Sequence, residues 1–150
     1  MACSCRRGGA MLVVVGQLTL ATSGWLANAG LRKQPGKMSM KMKLVALTRP
    51  LPGREAEYHE WYNTTHLPEL VNKFGMAGAQ RYKLAARLMG SDENEFLAIY
   101  DIEADDPMAF LGAMGAASKS GELTQSDAQD FGTCYTALFT EHGERVVPQG

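Results

Sequence analysis

The sequence predicts an α+β domain with the element order β-α-β-β-α-β, the split-βαβ or ferredoxin-like arrangement. Four short runs rich in branched and aromatic residues have the composition of strands. Two longer segments begin with helix start signals, and turns containing glycine or proline separate the elements. A chain of 150 residues is long enough for one such domain with a modest core.

The first strand is predicted at residues 43–49, and the Pro-Leu-Pro-Gly sequence at 50–53 ends it with turn chemistry. A helix is predicted from about residue 54 to residue 65. It opens with Glu55 and Glu57, which lie where the helix dipole favours acidic side chains.

Pro68 interrupts this helix in the prediction, because a proline inside a helix removes a hydrogen bond and clashes one turn back. We therefore expect a break at 66–67 and a second short helical piece over 68–73. Gly75 is the expected C-terminal stop of that piece.

The other elements follow from similar signals. Strands are predicted at 76–87, 95–102 and 131–141, with a polar loop before the last one. The second helix is predicted to begin at Pro107, with Asp105 or Asp106 as its cap. Its predicted apolar side consists of Met108, Leu111, Ala113, Met114 and Ala117.

Two helices on one side of four antiparallel strands leave the other sheet face bare. A bare apolar face must be covered, and the chain has no internal repeat that would cover it. We therefore expect a homodimer whose sheets stack or close into a barrel.

Residues 1–42 differ from the rest in charge, with six basic residues and no acidic one. They can be a secretory signal with a basic start, a weak apolar stretch and a cleavage site before residue 30. Alternatively, translation starts at a methionine within 38–42, which we favour because polar residues dilute the apolar stretch. The domain is then predicted at 43–150 in the cytoplasm, whereas a real signal at 1–29 implies export.

The charge and hydropathy of the chain also limit which kinds of partner are expected. The nine remaining basic residues stand against all sixteen acidic ones, which leaves residues 43–150 with a formal charge of −7. Such a body repels phosphate backbones, so we expect no nucleic-acid partner. The N-terminal apolar stretch is too short and polar to span a bilayer, so we expect no membrane partner.

Cys134 is the only cysteine of residues 43–150, so an internal disulfide of the domain is excluded. It lies in the apolar run that precedes Phe139, and buried packing is its expected role.

The stretch at 58–70 has an unusual composition. It reads Tyr58-His59-Glu60-Trp61-Tyr62-Asn63-Thr64-Thr65-His66-Leu67-Pro68-Glu69-Leu70. Polar-tipped aromatics and imidazoles occupy positions where most helices carry aliphatic side chains. The helical period places four of these residues on one face, with His66 beside them: Tyr58, Tyr62, Thr65 and Glu69. A face of this kind suits the wall of a small ligand cavity.

This stretch also carries a family resemblance. The pattern Glu60-Trp61-Tyr62-Asn63-x-x-His66-Leu67-Pro68-Glu69-Leu70, followed by Gly75-Met76-x-Gly78-Ala79-x-Arg81-Tyr82, resembles the EthD-like family of dimeric alpha-beta barrel proteins. The resemblance covers residues 43–141 and implies a homodimer with a pocket in each subunit between the sheet and the first helix. It indicates the fold rather than the reaction, because members include polyketide cyclase-like, pigment-biosynthesis and ether-degradation-associated proteins.

His66 is the leading candidate for chemistry. It lies where the first helix is predicted to end, and a helix C-terminus favours the protonated imidazole. A histidine that titrates near neutrality can exchange a proton with an enolisable carbonyl compound. Arg81 and the phenol of Tyr62 can then hold the developing oxyanion, which makes these three residues the catalytic candidates. The candidates for binding a small hydrophobic or aromatic ligand are Tyr58, Trp61, Asn63, Thr65, Tyr82 and Tyr100.

Each candidate also has a purely structural interpretation. His66 can cap the helix end through the backbone, and Trp61 can belong to the core or a dimer contact. Arg81 can pair with Glu69 or Asp101 at the surface, which would contribute little to stability.

Neither a metal nor a cofactor is expected. His59 and His66 lie two helical turns apart, about 10 Å along the axis, which is too far for one ion to bridge without help. The sequence contains no phosphate-binding glycine loop, dinucleotide fingerprint or Gly-x-Ser-x-Gly elbow.

Three functional hypotheses remain open. The first is a cofactor-independent enzyme of cyclase, isomerase or lyase type that acts on an aromatic or polyketide-like carbonyl compound. The second is a non-catalytic protein that binds a small hydrophobic metabolite in the same pocket. The third is a cofactor-free monooxygenase whose substrate itself activates oxygen.

Overall fold

The computed structural model describes residues 38–150, so both interpretations of the leader lie largely outside it. The strands are β1 (Met40–Thr48), β2 (Gly78–Lys83), β3 (Phe96–Ala104) and β4 (Tyr135–Thr140). The helices are α1 (Glu55–Trp61), α2 (Leu67–Phe74) and α3 (Pro107–Ser120), with a π-helical turn (Tyr62–His66) between α1 and α2. The predicted order β-α-β-β-α-β is confirmed.

The four strands form one antiparallel sheet in the order β2-β3-β1-β4. The two central strands pair along their whole length, from Met40 opposite Ala104 to Thr48 opposite Phe96. This is the ferredoxin-like arrangement.

The two faces of the sheet carry different side chains, because successive residues of a strand point to opposite sides. The helix face bears the buried even-numbered residues of β1 and β3, including Leu44 and Tyr100. The opposite face is here called the open face. It bears the polar residues Lys43, Gln80 and Asp101 and the apolar residues Val45, Leu47, Tyr82, Leu97, Ile99, Tyr135, Ala137 and Phe139. Three of its aromatic side chains are about half exposed: Tyr82 at 50%, Tyr135 at 47% and Phe139 at 48%.

The predicted break at 66–67 is wrong, since the helix runs on from α1 through the π-helical turn into α2. The amide of Leu67 bonds to the carbonyl of Tyr62, five residues back. Pro68 has no amide hydrogen to donate, and a wider turn accommodates the missing bond without ending the helix. Gly75 ends α2 in the left-handed conformation at φ 60°, as predicted.

Helix α3 begins where the sequence predicts. The side chain of Asp106 accepts hydrogen bonds from the amides of Met108 and Ala109 at 2.8 and 3.2 Å, and Pro107 occupies the first turn. The predicted apolar side is only partly correct. Met108 is 73% exposed, whereas Phe110, which the prediction omits, is buried against the core.

Several boundaries differ from their predictions. β1 begins at Met40 rather than Lys43, and β2 is confined to Gly78–Lys83. β4 begins only at Tyr135, because the preceding residues form turns. Within residues 38–150, none of the helices has the length and apolar character to cross a membrane.

Candidate ligand cavity and active site

A cavity of about 410 Å³ lies between the helix face, the α1–α2 segment, α3 and the loop that precedes β4. The sheet contributes Leu44, Ala46, Thr48, Tyr100 and Thr136. The helices contribute Trp61, Tyr62, His66, Leu70, Leu111, Met114, Gly115 and Ser118. The loop contributes Leu123, Thr124, Gln125, Gln129, Phe131 and Cys134. The cavity has a size typical of small-molecule sites.

Hydrogen bonds fasten the loop to the rest of the domain. The indole nitrogen of Trp61 donates to the carbonyl of Thr124 at 3.3 Å, and the amide of Thr124 donates to the carboxylate of Glu69 at 2.8 Å. Further along, the amide of Leu51 donates to the carbonyl of Ala128 at 2.7 Å. The loop is therefore a fixed wall of the cavity.

The inner side chains of the helical segment recur at every fourth position. Tyr58, Tyr62, Leu70 and Phe74 are buried, and His66 is half-buried between them. In a regular α-helix a spacing of four drifts by about 40° at each step, because one turn takes 3.6 residues. The wider π-helical turn offsets part of this drift, so the stripe stays directed at the sheet.

His66 lies between two aromatic rings on the cavity wall. The centre of its ring is 4.5 Å from that of the Trp61 indole, with an angle of 30° between the ring planes. The centre of the Tyr62 ring is 4.9 Å away, with an angle of 72°. Its Nδ1 atom is buried without a hydrogen-bond partner within residues 38–150. A buried polar atom in this state gains from a ligand that can bond to it.

The predicted protonated state of His66 is wrong. Burial, with a smaller contribution from Arg81, lowers the pKa of His66 from 6.5 to about 4, against the opposing effect of Glu69. The helix does not end at His66, so the helix terminus that was expected to stabilise the cation is absent. The imidazole is therefore neutral at neutral pH and able to accept a proton.

Two phenols line the cavity close to His66. The hydroxyl of Tyr100 donates to the hydroxyl of Tyr62 at 3.4 Å, and both side chains are 1% exposed. Burial raises the pKa of both tyrosines. Both phenols therefore keep their protons at neutral pH. The one hydroxyl proton of Tyr100 is donated to Tyr62, so the hydroxyl of Tyr62 is the potential donor to a bound oxygen atom.

Arg81 does not line the cavity. Its guanidinium stacks 4.1 Å from the centre of the Tyr62 ring. It donates to the side-chain oxygen of Asn63 at 2.7 Å and to Nδ1 of His59 at 3.3 Å. Neither of the predicted surface partners, Glu69 and Asp101, binds it: Glu69 pairs with a lysine of α2, and Asp101 with one of β1.

The structure brings together only part of the predicted site. Trp61, Tyr62, His66 and Tyr100 line the cavity, whereas five other candidates lie outside it: Arg81, Tyr58, Asn63, Thr65 and Tyr82. The Tyr58 hydroxyl is bonded to that of Thr48 at 2.7 Å. Tyr82 lies on the open face, since it pairs with Leu97 on the side away from the helices. The functional roles of all nine residues stay predictions.

Much of the cavity wall consists of residues that were not predicted from the sequence. Thr48 and Gln129 line the cavity and are buried, and Met114 belongs to its α3 side. Strand alternation from Leu44 could have located Thr48. The loop carries no periodic signal, so Gln129 and Cys134 could not be located. Cys134 is half-buried at the cavity rather than packed in a strand.

Metal-ligating side chains do not cluster in the described part of the chain. Residues 38–150 contain no group of three or more histidine, cysteine, aspartate or glutamate side chains arranged to hold an ion.

The comparisons with known proteins give one likeness in fold. No family model matches the chain, and no curated protein matches it either. A solved structure that matches is a crystal structure of an ethyl tert-butyl ether d (EthD) family protein from Bacillus halodurans C-125. The match has 21% sequence identity and a TM-score of 0.47, and it covers 71% of this chain and 100% of that one.

The chain thus resembles an EthD family protein, as the helix motif predicts. At this level of identity and superposition the match carries no argument about function, which must be argued from the cavity.

Proposed function

We propose that this protein is a small cofactor-independent enzyme that transfers a proton on an aromatic or polyketide-like carbonyl compound, in a cyclase-, isomerase- or lyase-type step. One observation supports this above the others. The neutral imidazole of His66 lies on the wall of a cavity of about 410 Å³, beside the hydrogen-bonded phenols of Tyr62 and Tyr100. Enolisation requires a base and a hydrogen-bond donor to the carbonyl oxygen, and His66 and the Tyr62 hydroxyl are such a pair.

In the proposed step, His66 removes a proton from the carbon next to the carbonyl group. The C–H bond breaks, an N–H bond forms, and the electron pair moves to the carbonyl oxygen. The imidazolium and the enolate are then opposite charges in one cavity, which offsets the desolvation that lowers the pKa of the empty site. Return of the proton to another atom gives an isomerase, whereas attack of the enolate on a second carbonyl gives a cyclase.

The phenol of Tyr62 is the proposed donor to the enolate oxygen, and Tyr100, whose hydroxyl donates to that of Tyr62, supports it. Arg81 then acts as a positioning residue rather than as a catalytic one. Its cation lies on the ring of Tyr62 and lowers the pKa of that phenol against the larger effect of burial. A more acidic phenol is a stronger hydrogen-bond donor.

A non-catalytic binding protein is the second candidate. It is favoured by the position of Arg81 outside the cavity, which leaves the developing oxyanion without a direct cationic partner. A hydrophobic metabolite would still fill the same space between α3 and the sheet.

The open face suits a second copy of the chain. We propose a homodimer in which two such faces stack, because the apolar side chains of Tyr82, Tyr135 and Phe139 are left about half exposed to water. Stacked sheets lie about 10 Å apart, a distance that side chains of this size fill.

A melting-temperature screen with aromatic and polyketide-like ketones tests the proposed function on the full chain. A compound that binds raises the melting temperature by mass action. The wild type is compared with His66→Gln, and Ser120→Gln serves as a surface control away from the cavity. Each stabilising compound is then followed for conversion and for oxygen uptake.

The enzyme proposal expects conversion by the wild type and the control but not by His66→Gln, with binding retained by all three. Equal binding without conversion by any of them would identify a binding protein. Conversion coupled to oxygen uptake would identify the monooxygenase instead.

A further inference from the structure

The wall of the cavity is free of charged side chains. Within the described chain, none of the residues that line it is a lysine, arginine, aspartate or glutamate. Its titratable groups are His66, Tyr62, Tyr100 and Cys134. The lowered pKa of His66 and the raised pKa of each tyrosine keep these three side chains neutral at neutral pH.

The two charged groups that influence the pKa of His66, Glu69 and Arg81, are engaged with other residues. Arg81 stacks on the Tyr62 ring and donates to Asn63. Glu69 pairs with Lys73 at 2.9 Å and also accepts the amide of Thr124. None of these ions is available to neutralise a charge on a ligand inside the cavity.

We infer that the cavity selects uncharged ligands, so that its substrate is a neutral aromatic ketone or ester and not a carboxylate or a phosphate. The inference rests on the proposed function and specifies its substrate class. An ionised group that leaves water for this wall loses its hydration and finds no opposite charge. A carbonyl oxygen needs only a neutral donor, which the phenol of Tyr62 supplies.

The cavity also has two different ends, which orient such a ligand. At one end the side chains are at most 3% exposed, as in Tyr62, Tyr100 and Leu44. At the other end Leu111 is 38% exposed and Phe131 is 53% exposed. The carbonyl group therefore belongs at the deep phenol end, and the hydrocarbon rings lie toward the apolar mouth.

Matched ligand pairs test this selection on the full chain. Acetophenone, 2-acetylnaphthalene and 4-phenylacetophenone are each compared with the carboxylate of the same ring system: benzoate, 2-naphthoate and biphenyl-4-carboxylate. Each pair keeps its shape and replaces a methyl group by an anionic oxygen. Dissociation constants are measured by calorimetry at pH 7, where the acids are ionised. The best ketone is expected to bind at least about 100-fold more tightly than its carboxylate.

A charge-gain variant separates charge from shape. Gln125→Arg adds a cation at an exposed position on the cavity wall, whereas Ala116→Arg adds the same charge on the outside of α3. The first is expected to improve binding of the carboxylate at least about 10-fold and the second to leave it unchanged.

The outcomes distinguish the two claims. A carboxylate that binds the wild type as tightly as its ketone overturns the inference but leaves the proposed enzyme standing. If the carboxylate binds Gln125→Arg as weakly as it binds the wild type, the selection depends on shape rather than charge. That result overturns the inference as well. Failure of every ketone and every carboxylate to bind would contradict the proposed function itself.

Discussion

The two faces of the sheet are built from alternating residues of the same strands, yet the aromatic side chains on the two sides differ in burial and in hydrogen bonding. On the helix face, Tyr58, Tyr62 and Tyr100 are almost fully buried, and each hydroxyl is hydrogen-bonded. On the open face, Tyr82 and Phe139 are about half exposed. The helix face is completed within the chain around a cavity, whereas the open face lacks a cover within residues 38–150.

This contrast separates two roles that aromatic residues can have. Where a polar tip has a fixed partner, the ring belongs to an ordered polar network inside the domain. Where the ring is exposed among aliphatic side chains, it suits an interface between copies. Four substitution experiments test the contrast.

The largest effect is expected from Phe139→Glu on the open face. The substitution replaces a half-exposed ring by a carboxylate that must lose its hydration when the faces stack, and the opposite residue Lys43 already pairs with Asp101. The variant should therefore be monomeric at concentrations where the wild type is dimeric. Sedimentation equilibrium measures the change. Leu88→Glu is the matched control, because Leu88 is 94% exposed in the β2–β3 loop. A dimeric Phe139→Glu protein, or a monomeric wild type, would contradict the proposed interface.

His66 should make the domain sensitive to acid. Its pKa is about 4 in the folded state and 6.5 without the fold, so between these values the unfolded chain binds a proton that the folded chain does not. The contribution of His66 to the free energy of unfolding is fully present above pH 6.5. It is lost as the pH falls toward 4, and the total loss is about 3 kcal/mol.

Urea unfolding at pH 7, 5 and 4 measures this loss. The wild type should lose about 3 kcal/mol more than His66→Gln over that range, while His142→Gln in the C-terminal tail should follow the wild type. Parallel pH profiles for the wild type and His66→Gln would show that the imidazole is not held neutral by burial.

Arg81→Lys tests the cation behind the cavity wall. Lysine loses the stacked guanidinium plane on Tyr62 and one of the hydrogen bonds to His59 and Asn63, which should cost about 1–2 kcal/mol of unfolding free energy. Arg54→Lys, which alters an exposed ion pair with Glu57, should change stability little. Similar values for both variants would argue that the stacking on Tyr62 contributes nothing.

The smallest effect is expected when the same change, the removal of a tyrosine hydroxyl, is made on each side of the sheet. Tyr58→Phe removes a buried hydroxyl bonded to Thr48 at 2.7 Å and should cost about 1 kcal/mol. Tyr82→Phe removes a hydroxyl from the half-exposed open-face ring and should be nearly neutral for the folding of one subunit. Thermal unfolding of both variants at a concentration that favours monomers provides the comparison, and equal losses would refute it.

The element order could be predicted from the sequence because turn signals and strand composition are local. The Asp106-Pro107 start of α3 and the Gly75 end of α2 have local physical causes, and both are confirmed. The continuous helix across Pro68 could not be predicted, since a proline is compatible with a break and with a π-helical turn. The choice depends on packing against the sheet, which the sequence pattern does not contain.

The candidate site was predicted in part for a similar reason. Of the face predicted from helical spacing, only Tyr62 lines the cavity, together with His66, which the prediction placed beside that face; Tyr58, Thr65 and Glu69 do not line it. Arg81 and Tyr82 are neighbours in a strand and must point to opposite faces. At most one of these two could have faced the cavity, and neither lines it. The wall formed by Gln129 and Cys134 depends on the path of a loop that has no repeating pattern.

The role of His66 as a base on a neutral carbonyl compound is measured by the exchange of the methyl protons of 2-acetylnaphthalene for deuterium, followed by proton NMR in D₂O. The wild type is expected to accelerate this exchange, and His66→Gln is expected to lower the acceleration at least about 100-fold while binding is kept. Equal exchange rates for the two proteins, with the ketone bound to both, would contradict this role of His66.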